Sequence, residues 1–228
     1  MIFGGMQRCS TIDFPGYLSC VLFARGCDLN CFYCHNRALL DSSGPVIPME
    51  EVLSFLEKRR GLLEGVVLSG GEPALQEDLP ELLRTIKDMG FYTKLDTNGQ
   101  HLPVIQKLIR ENLIDYAAVD FKAPLPDYGW VCGDDEGYHR AFNTIELLMQ
   151  SGIPFEARTT LYPGLQETAL LDLLQALPSL LRYRLNLFRM PETYLPSHAL
   201  LLRRPAISAS DLMRLTSALK QVQPNIEW

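Results

Sequence analysis

Six short apolar runs rich in strand-forming residues alternate along the 228-residue chain with six longer runs of helical periodicity. The short runs cover residues 18–24, 65–69, 91–96, 115–121, 155–161 and 184–189, and the long ones cover 49–60, 79–89, 102–111, 138–150, 168–177 and 208–221. In the last of these, Leu212, Leu215 and Leu219 share one face, with Ser208 or Ser210 placed to cap its start. Gly90 and Gly152 fall just past the second and fourth helices, where a left-handed residue ends a helix. Strands that recur after each helix need crossover connections, so the alternation predicts an α/β fold. Six units are too few to close an eight-stranded barrel. The expectation is a partial (β/α)6 barrel, an open parallel sheet with helices outside. No linker or low-complexity stretch divides residues 1–228, which predicts a single domain; the Gly- and Pro-containing loop 123–137 reads as a flexible excursion.

Charge and hydropathy narrow the function classes. A formal net charge of −6 gives no electrostatic reason to expect nucleic acid as a partner. The one dense basic run, Lys58-Arg59-Arg60, sits at the end of a predicted helix, where cations suit the helix dipole. No apolar stretch approaches the roughly 20 residues of a membrane span, and no signal peptide is expected. Six cysteines, three of them clustered, fit a reducing cytoplasm better than a disulfide scaffold.

The clustered three are Cys27-x3-Cys31-x2-Cys34. At this spacing three thiolates can hold one [4Fe–4S] cluster and leave its fourth iron free to bind a molecule. A structural zinc site would need a fourth ligand, and His35, adjacent to Cys34, would have to fold back to supply it. Other chemistry-bearing residues collect at strand ends, where α/β folds gather function. Ser69-Gly70-Gly71-Glu72-Pro73 ends the second predicted strand, Asp96-Thr97-Asn98-Gly99 the third and Asp120-Phe121-Lys122 the fourth; Arg158 lies in the fifth and Arg189 ends the sixth. The double glycine permits close backbone approach to a ligand, or is an ordinary strand-to-helix turn. Asp96 and Asp120 on neighbouring strands repel unless a metal ion, a ligand ammonium or Lys122 relieves them. Arg158 in an apolar strand needs an anionic partner, either a ligand carboxylate or a structural acid. Tyr33 could stack on an adenine or cover the cluster. Cys9, Cys20 and Cys132 lack partners at ligand spacing, and Cys20 reads as core. His101, His139 and His198 read as surface or capping residues.

Taken together, the cysteine motif with an aromatic before its last cysteine, and the order of the motifs after it, resemble the radical S-adenosylmethionine (SAM) superfamily. Ser10-Thr11-Ile12-Asp13-Phe14-Pro15-Gly16 before the first predicted strand, Cys34-His35-Asn36, Asp96-Thr97-Asn98-Gly99 and Asp120-Phe121-Lys122 resemble its glycyl-radical-enzyme activating enzymes. The run 58–65, Leu95 to Gly99 and Arg158-Thr159-Thr160 are similar to activating proteins of anaerobic ribonucleoside-triphosphate reductase. The resemblance implies that SAM chelates the open iron and is cleaved by one electron to methionine and a 5′-deoxyadenosyl radical. That radical takes a hydrogen from a glycine Cα of a partner enzyme. It also implies that Cys27, Cys31 and Cys34 hold the cluster, that Gly70, Gly71 and Glu72 line the methionine amino group, and that Tyr33 meets the adenine. Arg158 would face the SAM carboxylate or ribose, with Asn36 and Lys122 as supporting contacts. Asp96, Thr97 and Asp120, with the Ala118 carbonyl, would hold Na⁺ or K⁺. A flavodoxin- or ferredoxin-type donor would supply the electron. One cluster is expected, since the chain lacks the cysteine-rich insert of larger activases.

Three other readings remain at this stage. One is an activase of another glycyl-radical enzyme such as pyruvate formate-lyase. A second is a radical SAM enzyme acting on a small molecule, as in carboxy-deazaguanine synthesis. The third is a non-catalytic iron–sulfur or zinc-binding module, which would leave Gly-Gly-Glu-Pro and the carboxylate pair without a purpose.

Overall fold

A computed structural model describes residues 1–40, 44 and 46–228. Its eight strands form one sheet in sequence order: β1 (Phe3–Ser10), β2 (Ser19–Ala24), β3 (Gly65–Gly70), β4 (Tyr92–Thr97), β5 (Tyr116–Asp120), β6 (Phe155–Leu161), β7 (Tyr183–Leu187) and β8 (Ile226–Glu227). β1 runs antiparallel to β2, and every later neighbour is parallel. Helices α1 (Met49–Glu57), α2 (Leu79–Asp88), α3 (Leu102–Arg110), α4 (Tyr128–Cys132), α5 (Gly137–Ser151), α6 (Glu167–Gln175), α7 (Ala199–Leu202) and α8 (Ala209–Val222) occupy the connections. The open α/β architecture expected from the alternation is present, with an extra strand at each edge. Among the described residues no helix is long and apolar enough to cross a membrane.

The helices follow their apolar stripes. α2 buries Leu79, Leu82, Leu83 and Ile86 against the sheet, and α8 begins with a reciprocal capping box between Ser208 and Asp211. Gly90 and Gly152 both adopt positive φ where α2 and α5 end. Loop 123–137 departs from expectation. It contains α4, whose Tyr128, Val131 and Cys132 are buried, so apolar packing fixes what its glycines and prolines left open.

The two faces of the sheet differ. Leu95, Ala117, Val119, Ala157 and Leu185 join the helices in the main core. On the inner face a smaller apolar cluster joins Phe14, Val21, Val67 and Tyr116. Phe14 comes from the loop between β1 and β2, and its ring sits so close to Gly65 that a Cβ there would lie 2.7 Å from it. The Ser10–Gly16 motif therefore floors the inner face. Lys94 reaches down from β4 to donate to the Asp13 carbonyl.

Candidate active site

A cavity of about 520 Å³ opens at the C-terminal ends of the strands. Cys27, Cys31 and Cys34 border it together with Tyr33, Asn36, Gly70, Gly71, Asp96, Thr97, Asp120, Lys122 and Arg158. Residues from five different connections and strands, separated by more than half the chain, thus meet around one space. Glu72 and Ala118, both assigned to the site by the resemblance, do not border it.

The cysteine loop is pinned on two sides. Asn30 N–H donates to the Cys132 carbonyl (2.8 Å) and Phe32 N–H to that of Val131 (3.1 Å), which hangs the loop on the end of α4. On the other side Gly71 N–H donates to Ala24 O (2.9 Å) and Glu72 N–H to Gly26 O (2.8 Å). This second seam explains the double glycine. A Cβ on Gly71 would lie 2.0 Å from Gly26 O, and one on Gly70 2.6 Å from Ala24 N. The close approach that the glycines permit is to the cysteine loop itself.

Glu72 turns away from the cavity into the protein, fully buried. Its Oε1 accepts from Ala74 N–H (3.0 Å) and the Thr97 hydroxyl (2.8 Å), and its Oε2 from Asn98 N–H (2.6 Å). Burial pushes its carboxyl up to about 7 against the pull of these three donors. The residue ties the β3 turn to the β4 turn. Asn98, part of the Asp96–Gly99 motif but given no role of its own from sequence, continues the tie: its Nδ2 donates to Asp28 Oδ1 (2.7 Å) in the cysteine loop.

The carboxylates are compensated by the chain's own cations. Asp96 pairs with Arg158 (2.6 Å) and Lys94 (3.0 Å), and Asp120 with Lys122 (2.8 Å). Burial works to raise the Asp96 carboxyl, but Arg158 and Lys94 together hold it below the usual range. Thr97 Oγ1 is engaged with Glu72 and with Gly99 N–H (3.1 Å). Arg158, which reaches across β5 to Asp96, also meets Glu156 Oε1 two residues back on its own strand at 3.0 Å, in the same alternation that faces Thr160 to the cavity. Of the two readings of Arg158, the structure shows the structural ion pair, set on the cavity wall.

Cys27, Cys31 and Cys34 are free thiols. Burial raises Cys27 to about 12 and also raises Cys34, while a hydrogen bond with Cys132 lowers Cys31. Lys122 acts to lower all three. It stays protonated: burial opposes its charge, yet Asp120, Cys31 and Tyr33 raise it well above the ordinary lysine value. Among the described residues no three His, Cys, Asp or Glu side chains gather around one ion position. The three thiols all border the cavity, and thiolate sulfur is the ligand type that holds an iron–sulfur cluster. Tyr33 is buried and stacks on Tyr162, with centroids 5.5 Å apart and planes at 10°. Asn36 Nδ2 donates to Gly70 O (3.4 Å). Arg189 borders the cavity beyond the end of β7. Thr160, Arg184 and Asn186 do so as well, and were legible only by extending the two-residue alternation from Arg158 to its neighbour strand.

Comparison with known proteins identifies the family. Residues 21–177 match the family model of the radical SAM superfamily. A provisionally named glycyl-radical enzyme activating enzyme of Methanocaldococcus jannaschii is 36% identical over 72% of this chain and 69% of its own length. The pyruvate formate-lyase 1-activating enzyme of Escherichia coli K12 is 34% identical over 51% of this chain; the aligned part is half of that protein. Among solved structures, Streptococcus suis SuiB bound to S-adenosylmethionine superposes with a TM-score of 0.67 at 16% identity, covering 88% of this chain and 48% of that one. TYW1 with a lysine-pyruvate adduct gives 0.60 at 18% identity over 90% and 74%. These two likenesses concern the fold. The chain belongs to the radical SAM superfamily, and within it to the glycyl-radical-enzyme activating enzymes.

Proposed function

We propose that this chain, acting as one domain in the cytoplasm, installs the glycyl radical of an anaerobic ribonucleoside-triphosphate reductase. The observation that carries the site assignment is the meeting of Cys27, Cys31 and Cys34 with Asp96, Asp120, Lys122 and Arg158 around one cavity. When bound, the family's [4Fe–4S] cluster and SAM supply a one-electron cleavage that yields a 5′-deoxyadenosyl radical able to take a glycine Cα hydrogen. The three cysteines hold the cluster as thiolates, and Lys122 favours that state by its charge. Gly70 and Gly71 form the wall beside the methionine end of SAM, Tyr33 and Asn36 border the adenine side, and Glu72 holds that wall in place from behind. Arg158, fixed by Asp96 and Glu156, offers its remaining donors to the SAM carboxylate or ribose. Na⁺ or K⁺ at Asp96, Thr97, Asp120 and the Ala118 carbonyl would have to displace Arg158, Lys94 and Lys122 from the two carboxylates. Activity independent of the alkali cation supplied would remove that element. The electron comes from a flavodoxin or ferredoxin.

The test is anaerobic EPR of the reconstituted protein with SAM, reductant and the reductase from the same source. A glycyl-radical doublet on the reductase is expected. A doublet on pyruvate formate-lyase instead would transfer the partner, the second reading that the 34% identity to the E. coli activase favours. No doublet and no 5′-deoxyadenosine would overturn the activity.

A further inference from the structure

One amide stands between a cysteine of the cavity and a carboxylate. Cys27 Sγ lies 3.9 Å from Asp28 Oδ1. Asn98 Nδ2, in the turn after β4, lies 2.7 Å from that oxygen and 3.8 Å from the sulfur. The amide has only one orientation open to it. Its Oδ1 accepts from Gln100 N–H (3.0 Å), a backbone group that can only donate, so the Nδ2 hydrogens face Asp28 and Cys27. Glu72 Oε2 holds the Asn98 backbone N–H (2.6 Å), and His101 Nε2 lies 3.1 Å from Asp28 Oδ2. Asn98 is 4% exposed, so its donors are spent on these partners rather than on water. A Cys27 thiol can itself donate to Asp28. A thiolate cannot, and at this distance sulfur and carboxylate repel unless a donor stands between them.

We infer that Asn98 is a positioning residue that sets the potential at which the cluster site accepts its electron, by donating one N–H to the Cys27 thiolate while the other covers the Asp28 carboxylate. The inference goes beyond the activase reading and rests on the part of it that makes Cys27 a cluster ligand. One added electron increases the negative charge that the ligand sulfurs share. A donor aimed at a ligand sulfur favours that charge, and an uncovered carboxylate beside it opposes it. Asn98 acts in the same direction through both of its hydrogens. Its removal should therefore make the site harder to reduce.

The test is an EPR-monitored redox titration of the reconstituted protein without SAM, with dithionite as reductant. Asn98→Ser keeps an acceptor for Gln100 N–H, since a serine hydroxyl closes the same kind of turn, but it lacks the amide that reaches the sulfur. At a fixed potential it should lower the ratio of reduced to oxidised cluster about tenfold, a downward shift of about 59 mV for one electron. Asn98→Asp keeps the shape, replaces the donor by an anion and should shift further in the same direction. Gln100→Ala is the control: it removes the bonds to Gly137 O and Arg140 from the same turn without touching sulfur, and should melt lower at an unchanged potential. Equal midpoints in the parent and Asn98→Ser, or the same shift in Gln100→Ala, overturn the inference. So does failure of both Asn98 variants to hold a cluster, since Asn98 would then support the loop rather than tune it. Iron and sulfide content of the parent reports the underlying reading separately. A parent that takes up no cluster removes the assignment of Cys27 and the inference with it; a loaded parent with unshifted variants removes only the role of Asn98.

Discussion

Glu72 shows how a residue named by a motif can work from behind the site. Three donors converge on its two oxygens, so no side chain that carries its own amide hydrogens can satisfy them all. Glu72→Gln should cost about 1–3 kcal/mol of apoprotein stability. The pH profile gives a sharper test. The folded carboxyl titrates near 7 and its ordinary value is 4.5, so between those values the native state holds a proton that the unfolded chain has released. Raising pH through that window therefore removes stability, by an amount on the order of 3 kcal/mol. In the glutamine variant this component is absent, so the gap between the two proteins should narrow as pH rises. Urea unfolding below, within and above the window measures it, and a gap independent of pH would show that Glu72 is ionised throughout. Cys31→Ala makes the complementary prediction: loss of cluster absorbance and SAM cleavage, with far-UV circular dichroism retained; Cys31 is buried in the main core, contrary to a simple loop position, so the variant should also melt somewhat lower.

At the scale of elements, the seam between the β2 and β3 loops decides whether the cysteines are presented correctly. A methyl on Gly71 would collide with the Gly26 carbonyl, which is backbone and has no rotamer to escape into. Gly71→Ala should lower the melting temperature by several degrees and reduce iron bound per chain after reconstitution. A variant that melts lower but loads iron normally would separate the seam from cluster assembly. Much of this level was legible in the sequence: β2 to β7 and all the long helices follow from alternation and periodicity. β1 was not, because Gly4 and Gly5 open it and its residues are largely half-exposed, which erases the apolar signal of a strand. β8 is two residues long, below any period. α4 was hidden in a segment whose glycines and prolines read as a loop, although its burial against the cysteine loop sets the position of Cys31.

The whole molecule carries a constraint that motifs did not announce. A chain of charges crosses the inner face: Lys94 and Asp96 from β4, Glu156 and Arg158 from β6, Arg182 just before β7, and Glu227 in β8. Its hub is Glu156, 2% exposed, which meets Arg158 (3.0 Å), Arg182 (3.1 Å) and Lys94 (3.8 Å). In sequence each of these looks like a polar residue on an alternating strand, and only the curvature of the sheet brings them together. Glu156→Gln would leave three cations facing one another with the buried anion gone, a loss of about 3–5 kcal/mol. Arg158 would then be held by Asp96 alone, so the variant should also bind SAM more weakly. Glu156→Asp keeps the charge and should recover part of both. Because the hub is buried, added salt should screen the defect only slightly, unlike a surface pair. Denaturant unfolding of the three proteins at low and high salt, with SAM titrations on the same preparations, gives the answer. If Glu156→Gln is as stable as the parent and binds SAM equally, the charges on the inner face are local pairs rather than a frame for the cavity.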